Sequence, residues 1–304
     1  MAKGKIAFLV AAHTDPAMVA RLACRLLPYG EVFVHVDGKV PLDPFRKALP
    51  AEATLLENRI RVSWGGWTQV QATLALMETA RRAMPDGERF MLLSGQDYPI
   101  RSLDEFTAML DARPGHEFIR AFEMLPSDHD RPKVQFKRRL DDVIPYRFAG
   151  PFGKATAFLN RLVRKIDREI SPYRERRYPF EMVPATGSSW WVLTREAVDY
   201  LLTTIRKDPR LARFYRNTFA VDEQIFHTLV HNSPLAGKAD PLEPYRHQQI
   251  GEMANVHLID NSLGKTFRLD DLDEILASQK WFLRKVTTAE STPLLDRLDE
   301  LAGA

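Results

Sequence analysis

The first third of the chain alternates short apolar runs with segments of helical periodicity, and this alternation limits the folds open to it. Residues 5–12 (KIAFLVAA) and 31–36 (EVFVHV) are continuous runs typical of strands buried on both faces. Between them, Pro16 suits the first turn of a helix. Two such strands joined by a helix form a βαβ unit with parallel strands. The sequence therefore predicts an α/β fold with a mostly parallel central sheet and flanking helices.

The same kind of pattern continues along the chain. A strand is predicted at residues 60–63, a helix at 68–84, and a strand at 89–93 that runs into Ser-Gly-Gln-Asp. Further on, the pattern predicts strands at 117–122 and 188–193 and helices at 195–205, 222–229 and 269–277. No repeat or low-complexity linker interrupts the chain.

Polar residues follow three of the predicted strands near the point where each strand ends. They are His13, Asp37 and Asp97. Ligands of open parallel sheets bind beyond the carboxyl ends of the strands, so these residues are candidate ligand contacts by position. The alternatives are structural: His13 fills a hydrogen bond at a strand end, and Asp37 organises the turn with Gly38.

Composition is that of an ordinary globular protein and excludes several functions. Of 304 residues, 45% are hydrophobic, and the net charge of +3 is too small for a typical nucleic-acid-binding protein. The chain lacks the motifs of phosphate-loop nucleotidases, dinucleotide dehydrogenases, GxSxG hydrolases and HExxH peptidases. A single cysteine, Cys24, allows no internal disulfide, and the apolar run at 6–12 is too short for a membrane anchor. We therefore expect a cytoplasmic protein.

Positive charge is concentrated between residues 131 and 180, where fourteen Lys or Arg accompany five Asp or Glu. We interpret this segment as a basic, partly helical insertion. Its apolar residues recur at helical spacing (Phe158, Leu159, Leu162, Val163, Ile166 and Ile170), opposite Arg161, Arg164, Lys165 and Arg168. Docking of the apolar face on the parent domain is the more common use of such a helix, and peripheral contact with an anionic membrane is the alternative.

Two Asp-x-Asp triplets could in principle hold a divalent cation on a sugar nucleotide. Asp128 and Asp130 lie in a loop followed by proline, and Asp271 and Asp273 lie at a predicted helix start. Carboxylates at a helix start interact favourably with the helix dipole for structural reasons alone. Neither triplet is well placed for a metal.

Two pairs of adjacent charged residues have side chains suited to catalysing a group transfer. Asp222 can satisfy free amides at the start of a helix, with Glu223 in its first turn; simple capping is the alternative. A carboxylate near a sugar hydroxyl removes the proton as the oxygen attacks an anomeric carbon. Arg284 and Lys285 could neutralise a departing diphosphate, or they could be a solvated pair.

Aromatic residues beside small residues supply candidate platforms for a base or a sugar. Trp64 lies in WGGW, and Ser189 and Trp190 lie in GSSWW. A tight turn pinned by core tryptophans is the competing interpretation of each motif.

Taken in order, these segments resemble one family. His-Val-Asp at 35–37, Trp-Gly-Gly at 64–66, LSGQDYP at 93–99, GSSWW at 187–191, Asp-Glu at 222–223 and FLRK at 282–285 together resemble the core-2/I-branching glycosyltransferases. That family contains β-1,6-N-acetylglucosaminyltransferases and peptide O-xylosyltransferases. The resemblance spans about residues 5–286. It implies one domain of the glycosyltransferase A-type fold with a Rossmann-like sheet over residues 1–286, followed by a helical tail at 287–304.

The resemblance also implies a reaction. It implies inverting transfer of a sugar, N-acetylglucosamine or xylose, from a UDP-sugar to a hydroxyl of a glycan or glycoconjugate, with no metal or other cofactor. By matching motif, Glu223 is implied as the catalytic base and Arg284 and Lys285 as the diphosphate contacts, with Lys265 or Arg268 as a further cation. We assign His13, Asp37 and Trp64 to nucleotide binding, and Asp97, Ser189, Trp190 and Asp222 to substrate binding.

The chain departs from the animal members of this family, which carry an amino-terminal membrane anchor, a stem and disulfides. It resembles a bacterial, cytoplasmic member, peripheral at most at the inner face of the membrane, whose acceptor is a surface polysaccharide or lipid-linked glycan. Two alternatives stay open. One is a carbohydrate-binding protein without catalysis, and the other is a metal-dependent nucleotide-sugar enzyme that uses Asp128 and Asp130.

Overall fold

The structure, a computed structural model, describes residues 5–138 and 151–303, with residues 151–154, 156 and 157 described by their backbone alone. Its strands are β1 (Ile6–Ala12), β2 (Gly30–Val36), β3 (Thr54–Leu55), β4 (Arg89–Ser94), β5 (Asp97–Pro99), β6 (Phe122–Glu123), β7 (Ala185–Thr186), β8 (Val192–Thr194), β9 (His257–Ile259) and β10 (Phe282–Arg284). Its helices are α1 (Pro16–Leu26), α2 (Asp43–Ala48), α3 (Trp67–Ala83), α4 (Leu103–Asp111), α5 (Arg131–Gln135), α6 (Pro151–Ile170), α7 (Arg195–Lys207), α8 (Pro209–Tyr215), α9 (Ile225–His231), α10 (Ile250–Met253), α11 (Leu272–Ala277) and α12 (Thr288–Leu301).

The central sheet has the order β3-β2-β1-β4-β8 and is parallel except for β8, which runs antiparallel to β4. This confirms the predicted α/β fold. The register pairs Ala12 with Val36 and Ala11 with Ser94. The carboxyl ends of β1, β2 and β4 therefore meet at one edge, which brings the residues that follow them to the same side of the sheet.

Both faces of the sheet are buried because the side chains of each strand alternate between two apolar cores. Ile6, Phe8 and Val10 pack in one core with α1, whereas Ala7 and Leu9 pack in the other with α3. Burial of each large apolar side chain contributes about 1.5–3 kcal/mol. The continuous apolar run of β1 is thus a consequence of its central place in the sheet.

Residues 60–63 form a loop, so the strand predicted there is wrong. The edge position beside β2 is taken by β3, with Thr54 opposite Phe33. The amides of the loop instead donate to side chains of the neighbouring segment: Ile60 to Nε2 of His35 (2.9 Å) and Val62 to Oδ1 of Asp37 (3.2 Å). Of the strand predicted at 117–122, only Phe122 lies in a strand, β6, while Glu117 and Phe118 form isolated bridges. Of the strand predicted at 188–193, only the last two residues lie in β8.

A second sheet of three strands, β5-β10-β9, lies at the carboxyl edge of the first. The chain leaves β4 at Ser94 and enters β5 at Asp97. β10 runs antiparallel to β5, with Arg284 opposite Asp97. This pairing brings a residue near the end of the chain to the edge formed by β1, β2 and β4.

The apolar stripe of α6 faces solvent, so the docking on the parent domain that the sequence favoured is wrong. Phe158, Leu162 and Ile166 are all exposed. Within residues 5–138 and 151–303, neither α6 nor any other helix has the length and apolarity that a membrane span requires.

The last helix, α12, packs against the core through Leu294, Leu295 and Leu298. Its Asp299 accepts hydrogen bonds from the hydroxyl of the buried Tyr98 (2.9 Å) and from Arg21 (2.7 Å). Asp299 therefore satisfies a polar atom that burial has removed from water.

Replacing Asp299 with Ala should lower the free energy of unfolding by about 1–3 kcal/mol, because the Tyr98 hydroxyl loses its acceptor in the interior. Asp296→Ala is the matched control: Asp296 lies 2.8 Å from the same Arg21, but its side chain is 59% exposed against 22% for Asp299. The control should cost less than about 0.5 kcal/mol. Urea denaturation measures both, and equal losses would contradict this account.

Candidate active site

Asp97 is the most deeply buried acid at the carboxyl edge of the sheet. Its Oδ1 accepts from Oγ of Ser94 (2.6 Å) and Nη1 of Arg284 (3.0 Å), and its Oδ2 accepts from the Ser94 amide (2.7 Å). Nε2 of His257 lies 3.2 Å from Oδ2. Burial alone would raise the pKa of Asp97, but Arg284 and then His257 hold that pKa below its ordinary value. Asp97 is therefore a charged, fixed partner of Arg284.

Arg284 is also held from its other side by an aromatic ring. Its guanidinium carbon lies 4.7 Å from the ring centroid of Trp190, and a guanidinium nitrogen donates to Ser94. A guanidinium at this distance from an indole ring makes a favourable cation–π contact. Trp190 and Asp97 together set the direction of Arg284.

Lys285 is partly exposed next to Arg284. Among the described residues no carboxylate pairs with it, and burial followed by the Arg284 charge lowers the pKa of Lys285. His13 lies at the end of β1 with part of its side chain exposed. Burial of the rest and then the Arg284 charge lower the pKa of His13, while the Asp37 charge opposes that shift. After burial, the charge of Arg284 is the largest cause of both shifts, so this cation acts on His13 and on Lys285 at this edge of the sheet. Adjacent cations such as Arg284 and Lys285 favour an anionic ligand.

Asp37 follows β2 and is buried at the same edge. Its Oδ1 accepts from the amides of Lys39 (2.9 Å) and Val62 (3.2 Å). The predicted turn beyond Asp37 is therefore present, and it holds the loop at 60–66 against the sheet. Trp64 extends from this loop, is mostly exposed, and has its ring 5.4 Å from that of Phe219.

Asp222 lies in the single helical turn Val221–Glu223 and is buried. Its Oδ2 accepts from Oγ of Ser189 and from Nε2 of Gln69, each at 2.6 Å. Gln69 in turn accepts from the amide of Gly65 (3.0 Å). The Asp222 carboxylate therefore connects the GSSWW segment with the Trp64 loop, and no side chain caps the start of α9.

Glu223 has a proton affinity unlike that of an ordinary glutamate. Burial and then the neighbouring Asp222 raise the pKa of Glu223 to about 8, while Lys133 opposes the shift. Lys133 is itself buried and bonds to Oδ1 of Asp130 (2.7 Å). Two acids close together in a poorly solvated place hold protons at a higher pH than free acids do.

The first Asp-x-Asp triplet is divided between two ion pairs. Asp130 pairs with Lys133, and Asp128 is exposed and pairs with Arg131 (2.5 Å). In the part of the chain that the structure describes, no three His, Cys, Asp or Glu side chains are grouped closely enough to hold a metal ion.

The two candidates for a further cation have acidic partners. Lys265 pairs with Asp271 (2.9 Å) and Glu274 (3.0 Å), and Arg268 pairs with Glu290. The predicted site residues thus form two groups in the structure. One group lies at the carboxyl edge of the sheet and contains His13, Asp37, Asp97, Arg284 and Lys285. The other contains Ser189, Asp222 and Glu223.

Adjacent residues join these two groups. Ser189 donates to Asp222, and Trp190 stacks on Arg284. The segment follows Gly187, where a Cβ atom would lie 2.2 Å from the carbonyl oxygen of Arg120 and 2.4 Å from the ring of His227. Only glycine fits there, so the motif is held tightly against the core.

Sequence reasoning missed several residues of this site. Gln69, His257 and Lys133 contact or influence predicted site residues, yet none of the three was predicted. For His257 a signal exists, because a histidine inside the apolar run VHLI is unusual for a buried strand. Gln69 and Lys133 carry no local signal, since their partners lie far away in sequence.

The fold and the family together define an α/β domain of the glycosyltransferase A type. The chain belongs to the core-2/I-branching enzyme family, whose sequence profile matches residues 6–240. Arg284 and Lys285 lie beyond the matched range. The family predicted from the sequence is confirmed.

Individual relatives show the same similarity. Xylosyltransferase 2 of Rattus norvegicus is 28% identical over 243 residues, which cover 76% of this chain and 25% of the rat protein. Xylosyltransferase oxt of Drosophila melanogaster is 25% identical over 243 residues, covering 75% and 24%. Xylosyltransferase 1 of Rattus norvegicus is 28% identical over 179 residues, covering 58% and 19%. The aligned region spans a quarter or less of the length of these three relatives.

The raised pKa of Glu223 predicts a pH-dependent loss of stability. Between its ordinary value of 4.5 and about 8, the folded state holds a proton that the unfolded state releases, so the free energy of unfolding falls as the pH rises. Glu223→Gln removes this loss, and its stability relative to the wild type should grow across that interval. Urea denaturation at several pH values measures the difference. The exposed Glu181→Gln is the control, and a constant difference for Glu223→Gln would contradict the assignment.

Proposed function

We propose that the protein is an inverting glycosyltransferase that moves a sugar, xylose or N-acetylglucosamine, from a UDP-sugar to a hydroxyl of a glycan or glycoconjugate. The observation that carries this proposal is the Ser189-Trp190 segment, which contacts Asp222, the neighbour of the high-pKa Glu223, through Ser189 and the fixed Arg284 through Trp190. The names of the relatives favour xylose. The cytoplasmic setting stays a prediction.

The cations of the carboxyl edge are suited to the diphosphate. Arg284 has one nitrogen committed to Asp97, and Lys285 has no acidic partner among the described residues. Mutual repulsion between the two cations is relieved when an anion lies between them, so diphosphate binding is favourable here. His13 and Asp37 then lie on the nucleotide side, with Trp64 available to stack on a base or a sugar. We propose that Asp97 positions Arg284 and does not contact the sugar.

Glu223 is suited to the role of base. As the acceptor oxygen bonds to the anomeric carbon, its proton passes to the Glu223 carboxylate. The bond between that carbon and the diphosphate oxygen breaks on the opposite face, and its electron pair leaves with UDP. A base is most effective when its pKa lies near the working pH. Burial, and then Asp222, which Ser189 and Gln69 hold in place, keep the pKa of Glu223 high.

We further propose that Arg284 and Lys285 supply the charge that a metal ion supplies in other nucleotide-sugar enzymes. The carboxylates of the first Asp-x-Asp triplet are already paired with Lys133 and Arg131, which weakens their case as metal ligands. A carbohydrate-binding protein without catalysis would require neither cations that bind a diphosphate leaving group nor a glutamate of raised pKa.

Glu223→Gln should lower turnover by about a hundredfold or more while leaving the affinity for UDP unchanged, because only the proton acceptor is lost. UDP release from UDP-xylose and UDP-N-acetylglucosamine measures turnover, and calorimetry measures UDP binding. The wild-type rate should rise with pH up to about 8. Glu181→Gln should behave as the wild type, and unchanged turnover in Glu223→Gln would remove it from the proposed role.

Lys285→Ala should weaken UDP binding by about tenfold, the value of one charge-assisted contact, and leave uridine binding unchanged. Both affinities are measured in EDTA, where the proposal expects wild-type binding and turnover to persist. The exposed Lys207→Ala is the matched control. An equal loss for uridine would indicate a structural effect, and a strict metal requirement would contradict the metal-free mechanism.

A further inference from the structure

Helix α6 carries its apolar residues on the outside. Phe158 is 65% exposed, Ile166 52% and Ile170 46%, and they recur at spacings of four residues with Leu162. Leu159 and Tyr173 continue the exposed apolar strip on the helix and on the turn after it. Contiguous exposed apolar surface of this kind marks an interaction site.

The side of α6 that faces the domain is polar. Asn160, Asp167 and Ser171 are buried there, at 3%, 5% and 2% exposure. Asp167 pairs with Arg174, and Ser171 donates to the carbonyl oxygen of Lys137 (3.3 Å). Polar contacts thus hold the helix in an orientation that turns its apolar strip away from the protein. A helix whose only partner was its own domain would bury the opposite face.

A basic strip runs beside the apolar strip. Arg161, Lys165 and Arg168 are exposed and follow each other at spacings of three and four residues. Long basic side chains can extend toward negatively charged groups while their hydrocarbon parts lie along an apolar surface. An apolar strip flanked by cations matches the boundary between acyl chains and anionic headgroups in a bilayer.

We propose that α6 is a docking helix that lies in the interface of an anionic membrane surface, with Phe158, Leu162, Ile166 and Ile170 among the acyl chains and Arg161, Lys165 and Arg168 at the headgroups. The inference goes beyond the proposed function and does not depend on it. Pairing of two copies through this face is less favourable, because it brings the two basic strips together.

Cosedimentation of the full chain with vesicles tests the proposal. Binding is expected to phosphatidylcholine vesicles that contain phosphatidylglycerol, to weaken with added salt, and to be much weaker with phosphatidylcholine alone. Ile166→Asp should lower the partition coefficient by about tenfold, since it replaces inserted apolar surface with a charge. Leu301→Asp on α12, at a site of 48% exposure, is the matched control and should bind as the wild type.

A second variant separates the electrostatic contribution. The double substitution Lys165→Glu and Arg168→Glu should remove the preference for phosphatidylglycerol, with the thermal unfolding midpoint as a check on folding. Sedimentation velocity tests the alternative, in which two copies of the chain pair through the apolar strip of α6. Absence of vesicle binding by the folded wild type, or self-association that Ile166→Asp abolishes without vesicle binding, would overturn the proposal.

Discussion

The buried ion pair between Asp97 and Arg284 holds the cation side of the site together. The two residues are 187 positions apart in sequence and lie opposite each other where β5 pairs with β10. Burying two charges costs several kcal/mol, and the mutual attraction offsets this only when the remaining hydrogen-bonding capacity is also used. Two donors from Ser94 bond to the Asp97 carboxylate, and the Trp190 ring adds a cation–π contact to Arg284. The value of the pair is therefore its position, since it fixes a guanidinium at the carboxyl edge of the parallel sheet.

The fold was predictable where local pattern and tertiary environment agree. Buried strands such as β1 and β2 need apolar residues on both faces, and the sequence shows them as continuous runs. Residues 60–63 mislead because alternating β-branched apolar residues, Ile60 and Val62, are also compatible with a loop whose amides bond to His35 and Asp37. Helix α6 was wrongly predicted for a different reason. Its periodicity identifies an amphipathic helix but does not determine which face contacts the domain.

The sequence predicts which residues belong to the candidate site, but it does not predict which residues they contact. His13, Asp37 and Asp97 follow from strand ends, because parallel strands deliver their carboxyl ends to one edge. The partners of these residues depend on long-range packing: His257 reaches Asp97 from β9, and Gln69 reaches Asp222 from α3. No local pattern encodes such pairs. For the same reason, the sequence could not distinguish a capping role for Asp222 from the network in which it lies.

The two charged groups of the site differ in the charges that act on them, and this difference bears on the proposed mechanism. Glu223 owes its raised pKa to burial and Asp222, and neither Arg284 nor Lys285 is among the charges that shift it. Cations placed against Glu223 would lower its proton affinity and weaken it as a base. In the proposed inverting displacement, base and leaving group lie on opposite faces of the sugar, with the ring between them. Ser189 contacts Asp222, and Trp190 contacts Arg284, so two adjacent residues of one short segment touch the acidic group and the cationic group of the site.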